Sequence, residues 1–248
     1  RMSKYQNNLI KHIESNPNFI QPEHRKNEII GFLEKPLNDL CISRPKSRLS
    51  WGIELPFDKD YVTYVWFDAL INYLTGIGFK KDKKLFEKYW PASYQLIGKD
   101  ILTTHAIYWP TMLMSLEIEL PKTIFAHGWW LISKSKMSKS IGNVIDPMEL
   151  INEHGADPVR YYLMREMVLG QDSNFTVESF KNRYNSDLAN DFGNLLSRLS
   201  TLMKKNFEGK IPLPKKMSKM EKEIQLESKN LIENVKGKVK NMRINEAI

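Results

Sequence analysis

The order of apolar and polar positions divides the chain into a broken first part, a strand–helix middle and a helical last part. In residues 1–56, prolines interrupt the pattern repeatedly, and the spacing predicts only two helices, from Ser3 to Glu14 and from Glu23 to Leu33. Residues 39–55 are expected to form short extended pieces. We therefore predict that residues 1–56 are the end of a connective insertion and lie outside the core.

The middle part alternates short apolar runs with helical patterns. Runs rich in β-branched and aromatic residues predict buried strands at Tyr61–Trp66, Tyr94–Gly98 and Thr123–His127. Apolar helices follow the first two, and this alternation implies a parallel sheet. Ligands bind such sheets at the carboxyl ends of the strands. Expected at that edge are Trp66, Gly98, His127 and Gly128.

After Asp146 the pattern becomes helical. Two helices are predicted to start with Asp before Pro, one at Pro147 and one at Pro158. Further helices are predicted from Val177 to Tyr184, from Asp187 to Asn206 and, after a linker with Gly and Pro, from about Met217 to Asn241. The last of these is rich in Lys and Glu and is amphipathic.

Charge and cysteine content narrow the classes of protein. The chain has 37 Lys and Arg against 29 Asp and Glu, a net charge of +8. This surplus suits a polyanion partner, although a soluble, lysine-rich protein would show it too. With Cys41 as the single cysteine, neither an internal disulfide nor a cysteine zinc site is expected in this segment. No apolar run has membrane-spanning length, so we expect no membrane partner and a cytoplasmic location.

A lysine-rich pentapeptide, Lys136-Met137-Ser138-Lys139-Ser140, follows the third predicted strand. Two lysines three residues apart, separated by small side chains, could close on a triphosphate and stabilise a leaving pyrophosphate. A solvated basic turn has the same spacing, so the spacing alone leaves both interpretations open.

Two predicted helix faces carry candidate side-chain ligands. Trp66, Ala69, Leu70 and Tyr73 share one face, and Ile101 and His105 share another. Such faces usually belong to a helix core. Their position after predicted strand ends, and the fit of aromatic rings to a slim thioether, favour an apolar pocket that holds a polarisable side chain.

The letters of these segments resemble a known family. The pentapeptide resembles the second signature of class I aminoacyl-tRNA synthetases, and the later Asp157–Tyr162 resembles the helix that follows it in that family. The segments that resemble methionyl-tRNA synthetases are Asp39–Arg44, Trp51-Gly52, Tyr64–Tyr73, and Leu96–Ile101 with His105 and Trp109-Pro110. The resemblance covers nearly the whole chain. Many relatives have Pro where this chain has Leu70, which indicates a subgroup.

The resemblance implies an α/β fold: the second half of a doubly wound, Rossmann-like parallel sheet, followed by an α-helical bundle. Residues 57–135 would complete the nucleotide-binding domain, residues 136–185 would hold the ATP loop and the stem contact, and residues 186–248 would begin the anticodon-binding domain. The family's His-X-Gly-His signature is absent from residues 1–248, so the N-terminal half of the catalytic domain is expected to be a missing partner.

The resemblance also implies ligands and roles. It implies a methionine pocket of Trp66, Ala69, Leu70, Tyr73, Ile101 and His105. It implies ATP, with Mg²⁺, at Gly98, Asp100, His127, Gly128, Lys136, Met137, Ser138, Lys139 and Ser140, of which Lys136 and Lys139 are catalytic. It implies that Asn194 and Arg198, one turn apart on a helix, face the anticodon of tRNA(Met).

Alternatives remain at this point. The enzyme could activate another apolar amino acid, although the polar groups of Tyr73 and His105 do not suit a branched aliphatic side chain. The chain could also be a non-catalytic tRNA-binding module derived from such an enzyme. An ordinary polar helix surface would explain Asn194 and Arg198 without RNA.

Overall fold

The computed structural model describes residues 1–132, 135–137, 144–213 and 216–248, in two units, Arg1–His127 and Gly128–Ile248. The helices of the first unit are α1 (Gln6–Ser15), α2 (Glu23–Leu33), α3 (Val65–Thr75), α4 (Lys83–Tyr89) and α5 (Trp109–Ser115). Its strands are β1 (Ile20–Gln21), β2 (Ser43–Pro45), β3 (Glu54–Leu55), β4 (Asp58–Thr63), β5 (Gln95–Gly98) and β6 (Ile124–His127). A 3₁₀ turn, Met2–Tyr5, precedes α1; a second 3₁₀ turn, Lys99–Ile101, and a π-helix, Thr104–Tyr108, lead into α5.

In the described residues of the second unit, the strands are β7 (Trp130–Ile132), β8 (Ser135–Lys136) and β9 (Ser173–Asn174). Its helices are α6 (Pro147–His154), α7 (Ala156–Glu166), α8 (Val177–Arg183), α9 (Asn194–Phe207) and α10 (Lys219–Lys240). A π-helix, Tyr184–Gly193, joins α8 to α9, and a 3₁₀ turn, Ile244–Glu246, follows α10.

A parallel sheet in the order β1-β6-β5 organises the first unit. Its apolar side chains pack against the surrounding helices, and Ile97, Ile124 and Ala126 belong to this core. Leu96 is on the other face of β5 and is 60% exposed. The predicted strands around Ile97 and Ile124 are confirmed, and the parallel sheet gives the expected α/β fold.

The first residues of the chain contribute to this core, which corrects the expectation that residues 1–56 lie outside it. Leu9 and Ile13 are buried one turn apart on α1, and Ile29 and Leu33 are buried one turn apart on α2. Strand β1 pairs with β6 in the parallel sheet. The prolines lie outside α1 and α2, so they limit the length of these helices without keeping them from packing. That this segment ends a connective insertion stays a prediction.

The strand predicted at Tyr61–Trp66 ends earlier than predicted and belongs to a different sheet. Strand β4 ends at Thr63 and pairs antiparallel with β2 and β3. Tyr64 then caps α3, so Trp66 lies in the first turn of a helix and not at the end of a parallel strand. A run of β-branched and aromatic residues suits both structures, and Asp68 in the first turn favours the helix.

The second unit has a smaller core of aromatic and apolar side chains from α7, α8 and the segment after β9. Its buried members are Val159, Tyr162, Phe175 and Phe180. Asp146 caps α6 and accepts a hydrogen bond from the backbone N–H of Met148, as the Asp-Pro pattern predicts. Helix α7 starts two residues before Pro158, after Gly155, so the predicted cap at Asp157 is wrong.

The predicted helices of the last part are present, but their apolar faces are open. Helices α8 and α9 form one continuous helical segment through the π-helix, and α10 starts with a capping box of Ser218 and Glu221. Leucines on α9 and Ile224 and Ile232 on α10 are more than half exposed. Across the described ranges, no helix is long and apolar enough to cross a membrane.

Candidate active site

A hydrogen bond between Tyr73 and His105 is the polar centre of the first unit's site. The His105 ring nitrogen Nδ1 lies 3.0 Å from the carbonyl oxygen of Ile101. A carbonyl only accepts, so Nδ1 carries the proton and donates. Nε2 is then the acceptor for the hydroxyl of Tyr73, at 3.0 Å. Burial lowers the pKa of His105 and raises the pKa of Tyr73, so both groups are neutral near pH 7.

A π-helix gives His105 its direction. Over Thr104–Tyr108 the helix is widened, and the backbone N–H of Trp109 reaches the carbonyl of Thr104, five residues back. Pro110 follows at once and has no N–H to offer a carbonyl in the preceding turn. Widening the helix accommodates this gap, and such π segments often occur at functional sites.

Aromatic rings surround this hydrogen bond and define what we call the aromatic pocket: Trp66, Tyr73, His105 and Trp109. The Trp66 ring meets His105 edge-on with centroids 6.1 Å apart, and the Tyr73 and Trp109 rings are 5.9 Å apart. Trp109 is fully buried, and its indole N–H has no hydrogen-bond partner among the described residues. The pocket thus combines polarisable surfaces with one neutral polar pair.

The six side chains predicted for a methionine pocket do not all share this environment. Trp66 and Tyr73 contact His105, whose ring also bonds to the backbone of Ile101. Ala69 is exposed on α3. Leu70 is only 1% exposed and belongs to the hydrophobic core. Burial in the core explains Leu70 sufficiently without a ligand; its assignment to the pocket stays a prediction.

Three residues predicted for ATP converge at the carboxyl ends of β5 and β6. Gly98 and His127 are partners in the sheet register. A Cβ added to Gly98 would lie 2.6 Å from Asp100 Oδ1 and 4.0 Å from His127 Cε1. A side chain at Gly98 would therefore displace the Asp100 carboxylate. The sheet brings these groups to the edge where ligands bind in this fold class.

Gly128, in the second unit, is held against backbone. A Cβ there would lie 2.1 Å from the carbonyl oxygen of Gln171 and 2.6 Å from the amide nitrogen of Asp172. The Asp172 carboxylate accepts a hydrogen bond from the Trp129 amide at 2.9 Å. Glycine is thus required at this position for packing, independently of any nucleotide.

The lysine loop is described only at its first residues. Lys136 lies in β8, but its side chain is outside the described part, as are Ser138, Lys139 and Ser140. Met137 packs against the core of the second unit. No group of three or more His, Cys, Asp or Glu that could hold a metal occurs among the described residues.

The two residues predicted to face RNA are at the start of α9. Asn194 and Arg198 are both exposed and one turn apart, so they lie on one face of that helix. The sequence analysis missed an ion-pair network just before them, in which Asp187 and Arg183 interact. Their spacing of four residues is a signal only when one helix runs through both, and the sequence pattern predicted a break between them.

Comparison with known proteins agrees with this fold. The parallel sheet and its helices define an α/β protein, with Gly98 and His127 at the carboxyl edge where ligands bind in this fold class. The family model described as tRNA synthetases class I (M) matches residues 1–200. The chain therefore belongs to the class I tRNA synthetases of this group.

The curated relatives are longer than this chain. A methionine–tRNA ligase of Clostridium acetobutylicum is 50% identical over 250 residues, which cover 100% of this chain and 38% of the relative. One of Clostridium perfringens is 54% identical over 86% of this chain and 33% of its own length. The methionyl-tRNA synthetase of Mycobacterium tuberculosis in complex with methionyl-adenylate superposes with a TM-score of 0.92 at 45% identity, covering 100% of this chain and 48% of that one.

Proposed function

We propose that the intact protein containing this chain is a methionine–tRNA ligase. It joins methionine to ATP as methionyl-adenylate, releases pyrophosphate and transfers methionine to tRNA(Met). The observation that carries this proposal is the neutral Tyr73–His105 pair inside the aromatic pocket. It agrees with the family and with the methionyl-adenylate complex of the similar Mycobacterium tuberculosis enzyme.

The aromatic pocket suits methionine better than it suits a branched aliphatic amino acid. Contacts of a thioether with aromatic rings are worth about 0.3–1.5 kcal/mol each, and Trp66 and Tyr73, which are not fully buried, offer such rings. A branched aliphatic side chain has no sulfur and would gain none of these contacts.

In this proposal, ATP meets groups that stabilise charge and position the reactants. Gly98, Asp100, His127 and Gly128 hold the nucleoside, and residues 136–140 hold the phosphates. Lys136 and Lys139 stabilise the negative charge that grows on the leaving pyrophosphate, together with Mg²⁺ that accompanies ATP. The carboxylate of methionine itself attacks the α-phosphate of ATP, and pyrophosphate leaves. Because no protein nucleophile is needed, catalysis rests on orientation and electrostatics.

The RNA side of the proposal uses the second unit. Residues 136–185 contain the ATP loop and the stem contact, and residues 186–248 begin the anticodon-binding domain. The exposed amide of Asn194 and guanidinium of Arg198 hydrogen-bond the edges of unstacked anticodon bases. The net charge of +8 favours approach of a polyanion.

The proposal also includes a partner, the N-terminal half of the catalytic domain. Strand β5 pairs only with β6 in the described sheet and leaves its other edge open, beside the exposed Leu96. A further parallel strand would pair with this edge, and a helix packed on that face of the sheet would cover Leu96. The proposed place of action is the cytoplasm, where tRNA is charged.

Methionine-dependent ATP–pyrophosphate exchange by the full-length protein tests the function. Exchange that requires methionine and is absent with leucine, isoleucine or valine supports it. Tight binding of tRNA without exchange would instead identify a non-catalytic tRNA-binding module. Exchange with a branched amino acid in place of methionine would refute the pocket assignment. Residues 1–248 alone are expected to show no exchange until the N-terminal half is added.

A further inference from the structure

Helix α7 is tied to the helical segment that carries the proposed RNA face. Arg183, the last residue of α8, donates from Nε to Glu166 of α7 at 2.9 Å. Near the other end of α8, the hydroxyls of Tyr162 and Ser179 are 2.6 Å apart. Helix α8 is therefore held to α7 at both ends.

Three side chains meet the carboxylate of Asp187, which lies in the first turn of the π-helix. Its Oδ2 accepts a hydrogen bond from the Tyr161 hydroxyl at 2.9 Å, lies 3.3 Å from a guanidinium nitrogen of Arg183, and lies 3.9 Å from Arg165 Nε. The Asp187 side chain is 20% exposed, so these interactions are only partly screened by water. One carboxylate oxygen thus joins two side chains of α7 to the start of the π-helix.

Arg165 extends the same attachment to the end of the chain. Its guanidinium donates to the carbonyl oxygen of Asn245 at 2.6 Å. Burial raises the pKa of Tyr161, and its hydrogen bond to Asp187 acts in the same direction, so the phenol stays a donor near pH 7. We call Tyr161, Arg165, Glu166, Arg183 and Asp187 the α7 network. It joins α7 to α8, to the π-helix and to the residues after α10.

The π-helix controls where α9 points its side chains. In an α-helix each residue turns the direction of the side chain by about 100°, so a widened segment shifts the phase of everything after it. The backbone of the π-helix Tyr184–Gly193 is tightly packed at its last residue. A Cβ added to Gly193 would lie only 3.1 Å from the carbonyl oxygen of Leu188. Helix α9 begins at the next residue, Asn194.

We propose that Asp187 is a positioning residue for tRNA charging: it fixes the rotation of the π-helix on α7 and thereby aims Asn194 and Arg198. This rests on the proposed function, which assigns Asn194 and Arg198 to the anticodon. Asp187 itself acts through α9 and is not proposed to touch RNA or the reacting atoms.

The test uses full-length protein and two reactions, methionine-dependent ATP–pyrophosphate exchange without tRNA and charging of tRNA(Met). Asp187→Asn removes the charge and keeps the shape, and Asp187→Glu restores the charge. Asp191→Asn is the matched control, because Asp191 is an exposed carboxylate one turn later on the same π-helix, without a side-chain partner among the described residues. Hydrogen bonds to charged groups are strong enough that about a tenfold rise in the KM for tRNA is expected for Asp187→Asn.

The expected pattern is a raised KM for tRNA in Asp187→Asn, unchanged exchange, partial recovery in Asp187→Glu and no change in Asp191→Asn. If Asp187→Asn behaves like the Asp191→Asn control, the proposal is overturned. Equal losses in exchange and charging would show a general folding role, which also overturns it.

An inserted alanine tests the rotational phase itself. Placed between Gly193 and Asn194, it follows all five residues of the α7 network in the chain and turns Asn194 and Arg198 by about 100°. Charging should fall as far as it does in Arg198→Ala, with exchange unchanged, and a harmless insertion would overturn the proposal. If Arg198→Ala itself leaves charging unchanged, the failure lies in the assignment of the RNA face, and the proposal about Asp187 falls with it.

Discussion

The hydroxyl of Tyr73 donates to Nε2 of His105 across 3.0 Å, and this direction is fixed because His105 Nδ1 already donates to the backbone of Ile101. Removing the hydroxyl in Tyr73→Phe leaves Nε2 without its partner in a buried position. We expect the KM for methionine in ATP–pyrophosphate exchange to rise about tenfold. Tyr89→Phe, which changes an exposed phenol on α4, is the control and should leave the KM unchanged.

The pH dependence of stability should contain a contribution from His105. Burial lowers its pKa in the folded protein below the ordinary value of 6.5, so the unfolded chain binds more protons once the pH falls below about 6.5. The contribution is constant above that pH and becomes increasingly unfavourable as the pH falls through it. The free energy of unfolding, measured in urea at pH 7.5 and 5.5, should therefore change less in His105→Gln than in the unsubstituted protein. An equal change in both would contradict this prediction.

Lys139→Ala tests the lysine loop. If Lys139 stabilises charge on leaving pyrophosphate, its loss should lower the rate of adenylate formation by on the order of 10²–10³ and leave the affinity for methionine nearly unchanged. Single-turnover adenylation and equilibrium binding of methionine separate the two effects. Lys81→Ala removes an exposed lysine of the first unit and should alter neither. Unchanged adenylation in Lys139→Ala would refute the role of this lysine.

Arg198→Ala tests the RNA face. Charging of tRNA(Met) should fall strongly while methionine-dependent exchange without tRNA stays near normal, because the residue acts on the anticodon only. Lys204→Ala removes a positive charge from a different face of α9 and should have a much smaller effect. Parallel losses in charging and exchange would assign Arg198 a structural role instead.

A pair of glycine substitutions tests the packing of the second unit. Gly128→Ala places a Cβ 2.1 Å from the carbonyl oxygen of Gln171 and should lower the free energy of unfolding by about 1–3 kcal/mol or more. Gly237→Ala, in α10, meets nothing within 4 Å and should raise it by roughly 0.5–1 kcal/mol. Urea unfolding of both variants gives the comparison. A neutral Gly128→Ala would show that the backbone of residues 171–172 gives way.

Short-range patterns of apolar and polar residues predicted the helices and strands that such patterns define. The pattern of residues 1–56 predicted two helices in the correct places, and the apolar runs that end at Gly98 and His127 predicted the two main parallel strands. The same reasoning failed at Tyr64, where the strand ends and α3 begins, because a β-branched and aromatic run satisfies both structures.

Contacts between residues distant in sequence decided what local patterns could not. Tyr73 and His105 are 32 residues apart, and no periodicity reports that their polar atoms meet. The burial of Leu70 in the core likewise depends on elements that pack around α3. The four-residue spacing of Arg183 and Asp187 was visible, but their partners on α7 were not.

The π-helix at Thr104–Tyr108 has a consequence for the evolution and engineering of this enzyme family. A π-helical turn contains one residue more than an α-helical turn, so the length of the chain, and not only its composition, determines where His105 points. A deletion of one residue between His105 and Pro110 would remove the wide turn and, because His105 lies within it, would change the direction of the imidazole relative to Trp109. Lineages or designed libraries that seek a different amino-acid side chain can thus change the shape of the aromatic pocket by insertion and deletion, a route that substitution at the pocket residues does not reach.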